Sequence, residues 1–360
     1  MDKMHKRCGS NSDNKLTPKQ FRQEQQNTAK ITRLDDLCTD IVYELFEYFN
    51  VNELYLSFYN LTSSMKHIID NYSLPLHVDL SKRDSFNYFS EFIVPHLIAY
   101  PKQVTSLKLS SIITYPFTLS IHFQSLRALT LLRMYSKNMI PILKQFPQLS
   151  YVYIGNHSRH SNGLITTILK IPTLKTFIFK SLTHLQKLPL TTRNTSNIEH
   201  LSIRMNSHSL CVLLLQLPKI RYLNIDISYS YDYDGVMFDI PVMSCLTKLK
   251  MEIGRFPASF ANQLFKRASN LQYLHFVGTT SDKKCLDSTQ WTNLLFSIIE
   301  QLKRIKLNLH YSNLISALPD RIEIVEKFQT NVFLQQHNIH MYDESKGESA
   351  IFRIIADYQK

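Results

Sequence analysis

Seven glycines in 360 residues leave no room for the glycine-rich loops that cradle phosphates, and this excludes the common nucleotide folds. Cysteine is nearly as sparse. Cys8, Cys38, Cys211, Cys245 and Cys285 are widely scattered, with no CxxC and no even framework, so they read as free thiols in a reducing compartment rather than a disulfide scaffold. The longest apolar runs, such as Cys211 to Leu215, are about five residues, far short of a membrane span. Residues 1–33 lack the apolar stretch of a signal peptide. Rich in Gln, Asn, Ser and Lys, they are expected to form a disordered basic tail, and the expected location is the cytoplasm, the nucleus or both. That tail holds eight Lys or Arg against three acidic residues, which leaves +7 of the formal +12 for the rest of the chain. Such a balance permits contact with nucleic acid without requiring it, and nucleic acid is not the expected partner. No catalytic constellation is present, so no enzyme, cofactor or metal is expected. His157 and His160 have a ligand-like spacing but stand in a Ser, Arg and Asn turn without Cys or carboxylate, as a solvated loop would. Asp232, Asp234 and Asp239 are in the wrong order for a calcium loop, and Tyr229, Tyr231 and Tyr233 interleave with them. Residues 228–239 therefore read as an acidic, tyrosine-rich rim.

What the sequence does have is a repeat. Large apolar residues stand at relative positions 1, 4 and 6 of nine units, which start at Val104, Leu126, Leu149, Leu174, Ile198, Ile220, Leu246, Leu271 and Leu302. All 27 framework positions are apolar, at intervals of 22 to 31 residues. Three units are preceded by an apolar residue and a proline, at Phe146-Pro147, Ile171-Pro172 and Leu217-Pro218. Proline cannot continue a helical ladder and pushes the residue before it to extended geometry, so each proline ends a helix and the run after it is a strand. The fourth and sixth positions alternate with polar ones, the period of a strand buried on one face. Upstream the period is helical: Met139, Ile140, Leu143 and Phe146, then Leu164, Ile165, Ile168 and Ile171, then Leu210, Leu213, Leu214 and Leu217. One strand and one helix of this size cannot close a core, so units must stack on their neighbours.

The L-x-x-L-x-L skeleton at this period resembles a leucine-rich repeat. The usual Asn or Cys after the framework is absent: Ile154 is followed by Gly155, Asn156 and His157, and Leu131 by Leu132, Arg133 and Met134. The array is therefore most similar to the longer, helix-backed, ribonuclease-inhibitor-like arrays. The resemblance implies an α/β horseshoe of about ten units over residues 74–345. Leu76 to Leu80 would be its first strand and residues 86–100 the helix that returns from it. After Leu309 the pattern fades. Ile322 to Phe328 reads as a helix, Asn331 to Met341 as a last strand, and residues 346–360 as a tail or cap.

Residues 34–73 have a different composition. Leu37, Ile41, Leu45, Phe46 and Phe49 recur at helical intervals, and Leu54, Phe58, Leu61, Met65, Ile68 and Ile69 form a second such series. Every open array needs an amphipathic cap over its first edge. The residue order from Leu37 to Phe49, followed by Glu53-Leu54, resembles an F-box. Leu37 matches that family's opening leucine, Ile41 the helix leucine, Leu45 and Phe46 its Ile-Phe pair, Tyr48 and Phe49 its closing pair, and Glu53-Leu54 its Asp-Leu. Cys38 stands where the family has proline, and Met65 where it often has an aromatic residue. The resemblance implies that Leu37, Cys38, Ile41, Leu45, Phe46, Phe49 and Leu54 bind a Skp-type adaptor and, through it, a cullin. The chain would then be the non-catalytic substrate receptor of a ubiquitin ligase that directs proteins to ubiquitin-dependent degradation. The alternative is a leucine-rich-repeat interaction scaffold whose first helices only cap the array.

Strand residues between framework positions point to the face away from the helices, the concave face in a horseshoe. The third position of successive units reads Ser106, Ala128, Tyr151, Thr176, His200, Tyr222, Lys248, Tyr273 and Arg304. The fifth reads Lys108, Thr130, Tyr153, Ile178, Ser202, Asn224, Lys250, His275 and Lys306. Tyr151, Tyr153 and Tyr222 occupy the middle. Lys248, Lys250, Tyr273, His275, Arg304 and Lys306 make the last three strands basic and aromatic. This set is the candidate substrate surface, suited to an acidic or phosphorylated peptide.

Overall fold

The structure is a computed structural model that describes residues 34–71, 73–81, 94–110, 123–157, 162–181, 196–205, 207–227, 240–254, 256, 258–299, 301–313, 321–344 and 350–359. The basic tail, His160, the tyrosine-rich run 228–239 and residues 86–93 lie outside them, as does the side chain of His157.

The chain forms one open sheet of twelve strands: β1 Leu76–Leu80, β2 Val104–Ser110, β3 Ala128–Leu132, β4 Tyr151–His157, β5 Thr176–Ser181, β6 His200–Arg204, β7 Tyr222–Ile227, β8 Lys248–Ile253, β9 Tyr273–Thr280, β10 Arg304–Asn313, β11 Ile339–Asp343 and β12 Ala350–Gln359. Among the described residues the α-helices are α1 Thr39–Phe46, α2 Val51–Ser57, α3 Ser63–Ile69, α4 Val94–Ala99, α5 Ser136–Gln145, α6 Asn162–Leu169, α7 Ser207–Leu214, α8 Ala258–Arg267, α9 Ser288–Ile299, α10 Arg321–Gln329 and α11 Val332–Gln336. β1 to β10 lie side by side in chain order, all parallel, with helices in the connections between several of them. This is a solenoid-like mixed α/β fold.

The spacing explains the stacking. All 27 framework residues are buried, none more than 5% exposed. They share one continuous apolar cluster with Met139 and Leu143 of α5, Leu164 and Ile168 of α6, and Leu210 and Leu213 of α7. α5, α6 and α7 end at Gln145, Leu169 and Leu214, two to four residues before Pro147, Pro172 and Pro218, as the missing donor requires. The irregular turn expected after β3 has Arg133 at φ 54°, where its amide donates to the Gly155 carbonyl at 3.0 Å.

At the N-terminal edge, α2 docks directly on β1, and the end of α3 is tied to the residue that precedes β2. Asn50 forms a parallel bridge to His77, the Asn52 amide donates to the Asp79 carbonyl at 3.3 Å, and the Gln103 amide donates to the Ile69 carbonyl at 3.2 Å. Asn50 also starts α2 through a capping box. Its side chain accepts from the Glu53 amide at 3.1 Å, and the Glu53 carboxylate accepts from the Asn50 amide at 2.8 Å. The acidic residue of the Glu53-Leu54 pair thus has a local structural role.

The other edge departs from the expected order. β10 runs past Leu309 to Asn313, and α10 covers the expected helix. Residues 331–341 are not one strand: Asn331 caps α11 by accepting from the Leu334 amide at 3.2 Å, and only then does β11 begin. Residues 350–359, expected within a tail or cap, are the ten-residue strand β12, wedged antiparallel between β10 and β11.

Candidate functional site

Strand pairing turns the two sequence series into two rows. Ser106, Ala128, Tyr151, Thr176, His200, Tyr222, Lys248, Tyr273 and Arg304 are successive partners across β2 to β10. Lys108, Thr130, Tyr153, Ile178, Ser202, Asn224, Lys250, His275 and Lys306 form the parallel row. All of these are half-buried or exposed, so they line the open face of the sheet.

The candidate residues separate into two groups on that face. Tyr222, Lys248, Lys250, Tyr273, His275, Arg304 and Lys306 surround one depression of about 320 Å³. Tyr151 and Tyr153 lie on β4, four strands from β8, which is about 20 Å away. Tyr153 leans along its own strand: a Cβ at Gly155 would meet the Tyr153 ring at 2.7 Å, so glycine makes the space the ring uses. Within the depression, Lys248 Nζ stands 5.0 Å from the centre of the Tyr273 ring, a cation–π contact. One strand back, His200 packs edge-on against Tyr222 at 6.1 Å.

The cations of this face differ in whether an acid neutralises them. Lys108 reaches Asp79 at 2.9 Å, Arg204 donates to Asp226 at 2.6 Å, and Lys175 and Arg221 both contact Glu199. Lys248, Lys250 and Lys306 have no acidic side chain within ion-pair distance among the described residues. His275 registers the resulting field. Burial lowers its pKa, Lys250, Lys306 and Arg304 lower it further, and Glu252 opposes them. With Lys250→Gln and Lys306→Gln combined, the His275 pKa is expected to rise toward the ordinary histidine value. An NMR pH titration of the imidazole checks this, and an unmoved midpoint would mean that burial alone sets it.

The N-terminal helices require a correction. Leu37, Cys38, Ile41, Leu45, Phe46, Phe49 and Leu54, expected to form one adaptor surface, do not share a face. Phe46 and Leu54 are fully buried, and Phe49 packs on Phe58 at 5.3 Å between ring centres. Helical geometry divides the segment into two stripes. Val42, Phe46 and Phe49 face the core. Cys38, Ile41, Leu45 and Tyr48 run along the outside, with Ile41 49% and Tyr48 87% exposed and Leu45 half-buried. Leu56 and Leu61 add exposed apolar surface nearby in sequence. The exposure of Tyr48, Leu56 and Leu61 was not anticipated, although Tyr48 falls at the helical interval that would have shown it.

A depression of about 370 Å³ beside α8 and α9 contains Lys266, Lys284, Cys285 and Trp291. Burial pushes the Cys285 thiol up to about 11, and its Sγ lies 3.7 Å from Thr280 Oγ1, the environment of a packed thiol. No group of three or more His, Cys, Asp or Glu could hold a metal ion among the described residues, and no helix there is long and apolar enough to cross a membrane. No protein-family model matches this chain, and neither does any curated protein.

Proposed function

We propose that this protein is the substrate-recruiting subunit of a Skp-cullin-F-box type ubiquitin ligase, a leucine-rich-repeat receptor with no chemistry of its own. The outer stripe of α1 would bind the adaptor, and the open sheet face would hold the target protein. One observation carries the reading: α1 turns Val42 and Phe46 into the common apolar cluster, yet the segment keeps Ile41 and Tyr48 exposed on a second apolar stripe. Exposed apolar side chains on a rigidly docked helix are what a partner groove captures. The resemblance of residues 37–54 to the F-box names the kind of partner.

The test is capture of a purified Skp-type adaptor by the full chain. Wild type is expected to bind, and Ile41→Asp combined with Leu45→Asp to weaken binding by at least about tenfold, a hot-spot loss, with thermal unfolding little changed because both side chains lie on the outer stripe. Phe46→Asp is not a useful variant, since it places a charge in the core. The burial of Phe46 and Leu54 against the array favours a second reading, a free-standing scaffold that the helices merely cap. A folded wild type that fails to capture the adaptor would establish that reading over the first.

A further inference from the structure

The last three parallel strands place four cations around two aromatic rings. On β8, β9 and β10 the upper row reads Lys248, Tyr273, Arg304 and the lower row Lys250, His275, Lys306, paired residue for residue. Adjacent strands are about 5 Å apart and alternate residues about 7 Å apart along a strand, so the cations stand at the corners of a frame of about 10 by 7 Å. Tyr273 and His275 form its centre line, and a depression opens over them.

We propose that this frame binds a phosphate monoester carried by an extended segment of the target protein. The inference rests on reading the open face as the target surface and goes further by naming the chemistry recognised there. A phosphate monoester concentrates about −1.5 to −2 charges on three acceptor oxygens, whereas a carboxylate offers one charge on two. Three of the corner cations have no acidic partner among the described residues, so a compact multivalent anion compensates the frame better than an isolated Asp or Glu.

The same census argues against a polynucleotide. A phosphodiester backbone needs a continuing track of cations. Here the track is interrupted beyond β8: toward the middle of the sheet Arg204 is paired with Asp226, Lys175 and Arg221 share Glu199, and the next cation, Lys180 on β5, is three strands from Lys250. Beyond the frame the third-position row continues through Tyr222 and His200, which pack edge-on and offer a rigid surface for residues flanking the phosphate.

The experiment uses the full chain without adaptor, so that its outcome is independent of adaptor capture. Three immobilised libraries of otherwise random peptides carry a fixed central phosphoserine, serine or glutamate, and a single-stranded oligonucleotide and inorganic phosphate are tested beside them. The phosphoserine library is expected to be retained at least about tenfold better than the serine and glutamate libraries, with inorganic phosphate only a weak competitor. Lys250→Gln combined with Lys306→Gln is expected to remove that preference, and Lys108→Gln, whose lysine is already paired with Asp79, to leave it intact. Equal retention of the glutamate and phosphoserine libraries, preferential binding of the oligonucleotide, full competition by inorganic phosphate alone, or unchanged binding by the double variant would each overturn the proposal. Any of these leaves the adaptor reading to its own test.

Discussion

A Phe276→Ala variant is expected to lose about 3–5 kcal/mol of stability, the usual cost of emptying a buried phenylalanine site, out of a typical total of about 5–15 kcal/mol. Phe276 is fully buried at the sixth position of its unit, edge-on to Phe256 at 5.0 Å and to Phe265 at 5.9 Å. The Phe276 ring meets rings from the preceding connection and from α8, and Met251 and Leu307 flank it in the same row of the sheet. Tyr273→Ala, three residues earlier on the open face, is expected to cost about 1 kcal/mol or less, since it removes a half-exposed ring and one surface cation–π contact. Denaturant unfolding of the two variants checks this. Similar losses in both would mean that the two faces of β9 do not differ as described. In a stacked array the damage is also local, so hydrogen exchange should accelerate first around β8 to β10.

Deletion of residues 350–359 is expected to unfold the C-terminal end and leave the beginning of the sheet intact. β12 pairs with β10 over ten residues and with β11 over five, so its removal strips β11 of its only sheet partner among the described residues and leaves an open edge on β10. It also removes buried Phe352, which meets Tyr311 at 6.1 Å between ring centres, and buried Ile354. Those two side chains alone are worth about 3–6 kcal/mol at roughly 1.5–3 kcal/mol each. Each inner strand contacts only its neighbours, so the loss does not spread far along β1 to β7. Limited proteolysis should cut within β10 and β11 while the strands β1 to β7 stay protected, and the unpaired edge should promote association at higher concentration. Uniform loss of protection, or none, would contradict a nearest-neighbour stack.

The parallel part of the sheet was legible because one rule fixes it twice. Burial demands apolar residues at positions 1, 4 and 6, and a strand's period of 2 then sends positions 3 and 5 to the opposite face. That is why Lys248, Tyr273 and Arg304 could be aligned from spacing and also pair in the structure. The N-terminal segment was harder. Leu37, Ile41, Leu45, Phe46 and Phe49 are all apolar at helical intervals, and hydrophobicity alone does not say which of two adjacent stripes meets the sheet. Tertiary packing decides it, burying Phe46 in the common cluster beside Phe58 and leaving Ile41 outside. β12 escaped notice because its sequence, Ala350 to Gln359, lies outside the repeat and pairs antiparallel, so no spacing announces it.

The sequence by itself determined the register of β2 to β10, their buried framework and the row each of their side chains occupies, because those follow from local periodicity repeated at a nearly constant interval. Only the tertiary structure decided which cations remain unneutralised, since Asp79 reaches Lys108 and Asp226 reaches Arg204 across gaps of 29 and 22 residues. It also decided which apolar stripe of α1 is left outside. Both are properties of contacts between units. Periodicity says where a side chain points, and only packing says what it meets there.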